Sequence, residues 1–143
     1  MAEEQRVPKL IRAAEVTDST AQTTNLHRFV AIDPQLMEMS GPSRLYLGRA
    51  SAPPHTNSGP HHHGEAETGG FVLKGSCRIY WGENFSEYFD AEEGDFMYVP
   101  PYVHHIEANE HDEPFEGILV RSPDNIVVNL DEGSDERPNG PRP

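Results

Sequence analysis

Apolar and polar residues alternate in short runs along most of the chain, and glycine, proline or acidic residues bound each run. An alternation with a period of two is typical of a strand that buries one face. The pattern predicts strands over residues 26–32, 44–49, 71–74, 77–81, 85–89, 96–99, 104–108, 115–121 and 126–129. Because turn residues recur about every eight to twelve positions and no long amphipathic helix is evident, we expect an all-β sandwich or barrel.

The two ends of the chain depart from this pattern. Residues 1–23 mix polar and apolar positions weakly, and residues 11–16 fit either a helical turn or an added strand. We interpret residues 1–23 as an N-terminal arm that packs on the barrel or on a partner, and residues 24–129 as the barrel. Residues 130–143 have almost no apolar side chain beyond Leu130, which predicts a flexible acidic tail.

The composition restricts the classes of binding partner that the protein can have. A formal net charge of −13 disfavours nucleic acid and anionic membrane surfaces, which both attract clustered Lys and Arg. No apolar run approaches the roughly 18 residues of a membrane-spanning helix, and the N-terminus lacks the apolar stretch of a secretory signal. Cys77 is the single cysteine, so an intramolecular disulfide is impossible. We expect a cytoplasmic protein that acts on a small molecule.

Two segments marked by glycine and proline carry metal-ligand side chains. Residues 60–75 read PHHHGEAETGGFVLKG, and residues 94–109 read GDFMYVPPYVHHIEAN. A His-x-His pair on an extended chain places both rings on one face. Three imidazoles and one carboxylate suit Mn, Fe, Ni, Cu or Zn. The candidate ligands are His61, His63, Glu67 and His105.

These two segments resemble the paired motifs of the cupin superfamily, whose members are small jelly-roll barrels. In the second segment Gly94 is followed after five residues by Pro100, then by His105 and, after three more residues, by Asn109. This spacing is that of the second cupin motif, except that Tyr102 stands where the family usually has glycine. The resemblance implies a double-stranded β-helix barrel over about residues 44–120, with His105 as the third histidine ligand.

The first segment fits the first cupin motif with one irregularity. Glu67 follows His63 after three residues, but counting back six residues from Gly75 arrives at Thr68. Residues 61, 63 and 67 share parity, so on an unbroken strand all three would face inward. A bulge at Gly69-Gly70 could absorb the extra residue. We therefore assign Glu67 as the fourth ligand, with a three-histidine site as the alternative.

Four other polar residues near these motifs have competing interpretations. His62 and His104 each neighbour a ligand and should point to the opposite face as structural groups. His55 lies in a Pro-rich loop, where it is either a substrate contact or an exposed loop histidine. Glu107 has the parity of His105, so it either orients that ring, acts as a catalytic base or occupies a strand edge.

For the function, the resemblance implies a metal enzyme more readily than a particular reaction, because one fold hosts many activities. Our first hypothesis is a non-haem Fe(II) dioxygenase that acts on a diketone, enediol or catechol-like molecule. The second is a redox-neutral isomerase, epimerase or lyase that uses Mn, Ni or Zn on a sugar-like or keto acid substrate. The third is a non-catalytic binding module. The resemblance also implies a homodimer.

Overall fold

The computed structural model describes residues 7–18, 25–35 and 43–130. Within these ranges the chain forms short 3₁₀ helices at Ala13–Glu15 and Glu83–Phe85 and twelve strands. In chain order the strands are β1 (Thr17–Asp18), β2 (His27–Ile32), β3 (Tyr46–Ala52), β4 (Thr56–Asn57), β5 (His61–His62), β6 (Glu67–Lys74), β7 (Ser76–Trp81), β8 (Glu87–Glu92), β9 (Phe96–Val99), β10 (Ile106–Asn109), β11 (Phe115–Ser122) and β12 (Val128–Asn129). The all-β prediction is confirmed.

Antiparallel pairing organises the strands into sheets. The first sheet has six strands in the order β1-β2-β3-β11-β6-β9, and the second has four in the order β4-β10-β7-β8. A two-stranded ribbon joins β12 to β5. From β6 to β11 the chain crosses repeatedly from one sheet to the other, so the two sheets enclose an interior between them, as in a jelly roll. In the part of the chain that is described, no helix has the length and apolar character needed to cross a bilayer.

The apolar core lies between the two sheets. Val72 and Phe115 come from the first sheet, and Cys77, Ile79 and Ala91 come from the second. Each large apolar side chain buried here contributes roughly 1.5–3 kcal/mol to folding. Cys77 lies within this cluster, where burial raises the pKa of its thiol, in agreement with its interpretation as a small core residue.

The hairpin between β6 and β7 turns at Gly75. Its φ of +76° lies in the left-handed region, and a Cβ atom there would approach the carbonyl oxygen of Pro114 to 2.5 Å. Glycine avoids both costs. The turn sets the alternation of β7 and therefore which of its side chains face the interior.

The described part of the N-terminal arm adds to the first sheet. Thr17 pairs with Val30 and Asp18 with Phe29, so β1 extends the sheet beyond β2. The tail predicted at residues 130–143 lies outside the described residues except for Leu130, whose N–H donates to the carbonyl oxygen of Pro60.

Candidate metal centre

Backbone pairing brings the two histidine segments together. The N–H of His61 donates to the oxygen of His105 at 3.0 Å, and the N–H of His105 donates to the oxygen of His61 at 2.9 Å. This isolated antiparallel bridge fixes the two rings with their centroids 4.4 Å apart. The ring of His63 lies 4.9 Å from His61 and 5.1 Å from His105. The three imidazoles therefore form a compact group.

Backbone carbonyl groups orient all three rings. The Nδ1 atoms lie at hydrogen-bond distance from carbonyl oxygens: His61 from Gly59 at 3.0 Å, His63 from Ile126 at 2.8 Å and His105 from Val103 at 2.9 Å. A carbonyl oxygen only accepts, so each Nδ1 must carry the proton. The neutral ring then presents the lone pair of Nε2. A metal ion requires this tautomer, and carbonyl partners commonly fix it.

The Nε2 atoms of His61 and His105 are buried and make no hydrogen bond within the described structure. An unsatisfied buried polar atom costs free energy unless another partner exists. The Nε2 atom of His63 instead lies 3.4 Å from Nη2 of Arg121, which donates to it. A metal ion bound by His63 would replace that donor.

Glu107 supplies a carboxylate to the same group. Its Oε1 atom lies 3.6 Å from Nε2 of His105 and 3.9 Å from Nε2 of His61, too far for hydrogen bonds. The backbone of Glu107 is held through Ser58, whose Oγ accepts its N–H and whose N–H donates to its oxygen. The carboxylate is thus placed by a regular strand and a neighbouring loop.

The donor atoms fit a transition-metal ion. His61, His63, His105 and Glu107 each offer one atom, and these atoms all lie within 4.8 Å of one another. Two donors that each lie about 2.1 Å from one ion are at most about 4.2 Å apart. The distances from Glu107 to His105 and His61 already satisfy this limit, and any wider pair would need only a small inward shift. Nitrogen and carboxylate donors suit Fe, Mn, Ni, Cu or Zn.

Burial keeps the imidazoles of His61 and His63 neutral. Desolvation, and secondly the proximity of His105, lower the pKa of His61 to about 3. Desolvation and the charge of Arg121 hold the pKa of His63 well below its usual range. For Glu107, burial opposes ionisation, but its contact with His105 and the positive charge of nearby groups, including Arg28, lower its pKa well below the usual range. Neutral rings at His61 and His63 beside the ionised carboxylate of Glu107 are the protonation states that bind a metal ion.

Two buried arginines complete the polar interior. Arg121 and Arg28 have no exposed surface. Nε of Arg121 donates to Oγ1 of Thr68 at 2.9 Å, and its Nη1 donates to Oδ1 of Asn125 at 2.8 Å. Burial and the charge of Arg28 lower the pKa of Arg121. A fixed guanidinium group therefore lies beside the donor atom of His63.

Comparison with known families decides the family of the chain. A model of the cupin domain matches residues 48–121, more than half of the sequence. The chain belongs to the cupin family. None of the curated proteins that were compared matches it.

Solved structures agree with this cupin fold. The polyketide cyclase RemF from Streptomyces resistomycificus superposes with a TM-score of 0.69 at 18% identity, over 90% of this chain and 89% of that one. Oxalate decarboxylase from Bacillus subtilis superposes with a TM-score of 0.65 at 18% identity, over 78% of this chain. The match spans only 29% of the length of the decarboxylase. At these identities the likeness shows the fold alone.

Glu67 does not belong to the group of candidate metal ligands. Its side chain is exposed, and its Oε1 atom accepts a hydrogen bond from the hydroxyl of Tyr98 at 2.9 Å. The parity argument assumed an unbroken strand from residue 61 to residue 67, but a turn at Gly64-Glu65 interrupts it, with the N–H of Ala66 bonded to the oxygen of His63. The carboxylate in the group comes from Glu107 instead.

The bulge expected at Gly69-Gly70 is also absent. Residues 68–71 pair in continuous register with both β9 and β11, and the irregularity lies opposite Glu116 and Gly117. Thr68 therefore takes the inward position, 4% exposed, that counting back from Gly75 indicated. It contacts Arg121 rather than the candidate ligands.

The other histidines near the motifs lie outside the donor group. His62 and His104 are buried away from the donor group and stack, with ring centroids 5.0 Å apart and an interplanar angle of 9°. His55 lies at the surface, where its Nε2 atom is 2.7 Å from Oδ1 of Asp112. Nothing in this arrangement brings His55 to the centre.

Tyr102, which stands where the cupin motif usually has glycine, adopts the backbone conformation that glycine would allow. Its φ of +63° lies in the left-handed region that favours glycine, and its N–H donates to the oxygen of Gly64 at 2.8 Å. A tyrosine in this conformation costs on the order of 1–2 kcal/mol. The turn before His105 thus keeps the shape that glycine would allow, and it ties the second segment to the first.

The sequence interpretation missed Arg28 and Arg121, although a signal for them existed. Arg121 has the parity of the buried Phe115, Gly117 and Leu119 on β11, and Arg28 has that of Val30 on β2. A charge on the buried face of a strand is expensive without a role. Alternation applied to charged as well as apolar residues would have placed both arginines inside.

Proposed function

We propose that this cupin is a metal-dependent enzyme, and specifically a non-haem iron dioxygenase that acts on a small molecule with two neighbouring oxygen atoms. The observation that carries the proposal is the convergence of three carbonyl-oriented imidazoles and one carboxylate within 4.8 Å. A divalent iron ion held there would supply open coordination positions for a chelating substrate and for dioxygen.

The side chains of the chain prepare the centre for such a substrate. Backbone carbonyls hold His61, His63 and His105 in the ligand tautomer, so little reorganisation is needed on binding. The guanidinium of Arg121 is fixed by Thr68 and Asn125 beside His63. A fixed positive charge favours the enolate form of a diketone or enediol over its neutral form.

A redox-neutral reaction is the second candidate, and Glu107 is the observation that favours it. Its carboxylate lies inside the donor group with a lowered pKa, so it is ionised. If three histidines sufficed to hold an Mn, Ni or Zn ion, Glu107 would remain to accept a proton from the substrate, as an isomerase or lyase requires. The superposed structures, of an oxalate decarboxylase and a polyketide cyclase, are consistent with this candidate.

A homodimer is proposed as the assembled form, and the outer face of the first sheet supports it. Phe96 is 79% exposed and Tyr98 is 57% exposed on the edge strand β9, and Phe96 packs against Phe71 with ring centroids 4.8 Å apart. Apolar surface of this kind commonly marks a protein contact. Light scattering after size exclusion should give twice the chain mass for the protein and a lower mass for Phe96→Ser. We also propose a cytoplasmic location.

Metal analysis with an oxygen assay tests the reaction. The protein is purified without chelator, its metals are quantified, and it is then loaded anaerobically with Fe(II). We expect substrate-dependent oxygen uptake with a β-diketone, catechol or enediol. Tightly held Mn, Ni or Zn without uptake on any of these would favour the redox-neutral candidate. Absence of any bound metal under all loading conditions would leave a non-catalytic binding module as the conclusion.

A further inference from the structure

An apolar cavity of about 480 Å³ lies next to the candidate metal centre. It opens between β8 and β9, the edge strands of the two sheets, and the loop that contains Pro100 and Val103 closes one side. His105, which has no exposed surface, lies at its inner end, and the exposed Tyr98 lies at its mouth. The volume lies within the range of small-molecule sites.

The walls of this cavity come from the inward faces of the strands. Trp81 continues the alternation of the buried Cys77 and Ile79 on β7, and Phe89 has the parity of the buried Ala91 on β8. Val99 and Val103 complete the opposite wall. Two aromatic rings and three aliphatic side chains thus face a space that no described side chain fills.

This apolar wall contrasts with the polar side of the centre. On one side of the donor group lie the guanidinium of Arg121 and its partners Thr68 and Asn125, and on another lies the apolar cavity that ends at His105. A ligand that spans both needs oxygen atoms at one end and an apolar body at the other. Aromatic walls favour a planar body, which can stack on or meet their rings edge-on.

We propose that the cavity lined by Trp81, Phe89 and Val103 binds an aryl group of the substrate, while a neighbouring pair of substrate oxygens faces the centre at His105. This proposal rests on the proposed function, because it assigns the substrate class of the same centre. It predicts an aryl-substituted diketone or enediol rather than a short aliphatic compound, a sugar or a small dicarboxylate.

Two diketones with the same chelating unit test the proposal by binding alone. The probes are 1-phenylbutane-1,3-dione and pentane-2,4-dione, measured by equilibrium dialysis with metal-free and Zn(II)-loaded protein, in which no oxidation occurs. Burial of the phenyl ring should make the phenyl diketone bind roughly ten- to a hundred-fold more tightly. Trp81 is the single tryptophan of the chain, so its emission should change on binding of the phenyl compound.

Matched variants locate the binding site. Phe89→Ala should weaken binding of the phenyl diketone by roughly three- to ten-fold, and Val103→Trp should abolish it by filling the cavity. Tyr88→Ala removes an exposed ring of the same strand outside the cavity and should leave binding unchanged. Both cavity variants should retain the affinity for pentane-2,4-dione in the Zn(II)-loaded form, which separates a lost subsite from a lost fold.

The proposal and the proposed function can fail separately. Equal affinity for the two diketones, no measurable binding of the phenyl compound, or equal effects of Phe89→Ala and Tyr88→Ala would each overturn the aryl subsite, even if the Fe(II)-loaded protein consumed oxygen. A preserved preference for the phenyl compound without oxygen uptake would support the subsite and overturn the dioxygenase assignment.

Discussion

The two segments that meet at the candidate metal centre deliver their side chains in different ways. In residues 94–109, His105 leads directly into β10, and Glu107 two residues later faces the same interior. In residues 60–75, a turn follows His63, and Glu65 and Glu67 beyond it are exposed. The difference shows that a carboxylate joins a ligand group when an unbroken strand connects it to a neighbouring ligand at an even separation.

Beyond its histidines, the first segment contacts the centre through the positively charged side chain of Arg121. Thr68 occupies the inward position after the turn and accepts a hydrogen bond from Arg121, which also donates to His63. Residues 94–109 therefore contribute the negatively charged Glu107, and residues 60–75 are held by the positively charged Arg121. Substitutions that remove one contribution at a time separate these two roles.

The largest effect is expected from the loss of a histidine of the second segment. His105→Gln should weaken metal binding by more than about 100-fold, since even outer partners of a ligand contribute 10- to 100-fold. Competition with a chromophoric chelator measures the affinity. His55→Gln, which alters an exposed histidine bound to Asp112, is the control and should bind metal like the unmodified protein. Equal affinities in the two variants would contradict the site.

Removal of Arg121 tests how much its hydrogen bonds contribute to stability. Arg121→Met should destabilise the metal-free protein by about 1–3 kcal/mol, because buried oxygens of Thr68 and Asn125 lose their donor. Urea denaturation gives the free energy of unfolding. Arg78→Met is the matched control, since Arg78 pairs with Asp90 near the surface and such pairs contribute about 1 kcal/mol or less. Similar losses in both variants would show that Arg121 has no special structural role.

Acid should weaken the metal-free protein through His61. Its folded pKa is about 3, below the ordinary 6.5, so between these values the unfolded state binds a proton that the folded state does not. The free energy of unfolding should therefore fall as the pH drops below 6.5, by up to about 1.4 kcal/mol per pH unit for each such group. Urea titrations at pH 7 and pH 5 measure the fall, which His61→Gln should reduce. An unchanged urea midpoint between these pH values would be the contrary result.

The smallest effect concerns Glu67. Tyr98→Phe removes the hydrogen bond to its exposed carboxylate and should change the free energy of unfolding by less than about 1 kcal/mol. Metal affinity should stay the same. A loss of metal in this variant would imply that Tyr98 orients Glu67 toward the centre, contrary to the structure.

Much of the fold follows from alternation and turn residues. The predicted strands at residues 96–99 and 77–81 agree with β9 and β7 to within one residue, because Gly75 and Gly94 mark their boundaries. The strand predicted from residue 85 begins instead at Glu87, after a 3₁₀ helix that includes Phe85. Pattern identifies a strand well where a turn residue bounds it and less well where a helical turn intervenes.

The histidines of the centre could be predicted from the sequence, but its carboxylate could not. Spacing and resemblance to the cupin motifs indicated His61, His63 and His105, and backbone pairing unites them. The choice of carboxylate depended on whether residues 61–67 form one strand. Gly64, with a φ of +55°, breaks that strand, and a glycine can equally be accommodated without a break, so parity alone could not decide.

Metal content of two glutamate variants tests the central claim that Glu107 supplies the carboxylate of the centre. Glu107→Gln and Glu67→Gln are purified in parallel without chelator, and bound metal per chain is quantified by mass spectrometry. Circular dichroism verifies that both are folded. We predict that Glu107→Gln loses most of its metal, because an amide neither carries the charge nor binds as strongly, while Glu67→Gln retains it. Loss in Glu67→Gln with full retention in Glu107→Gln would contradict the account.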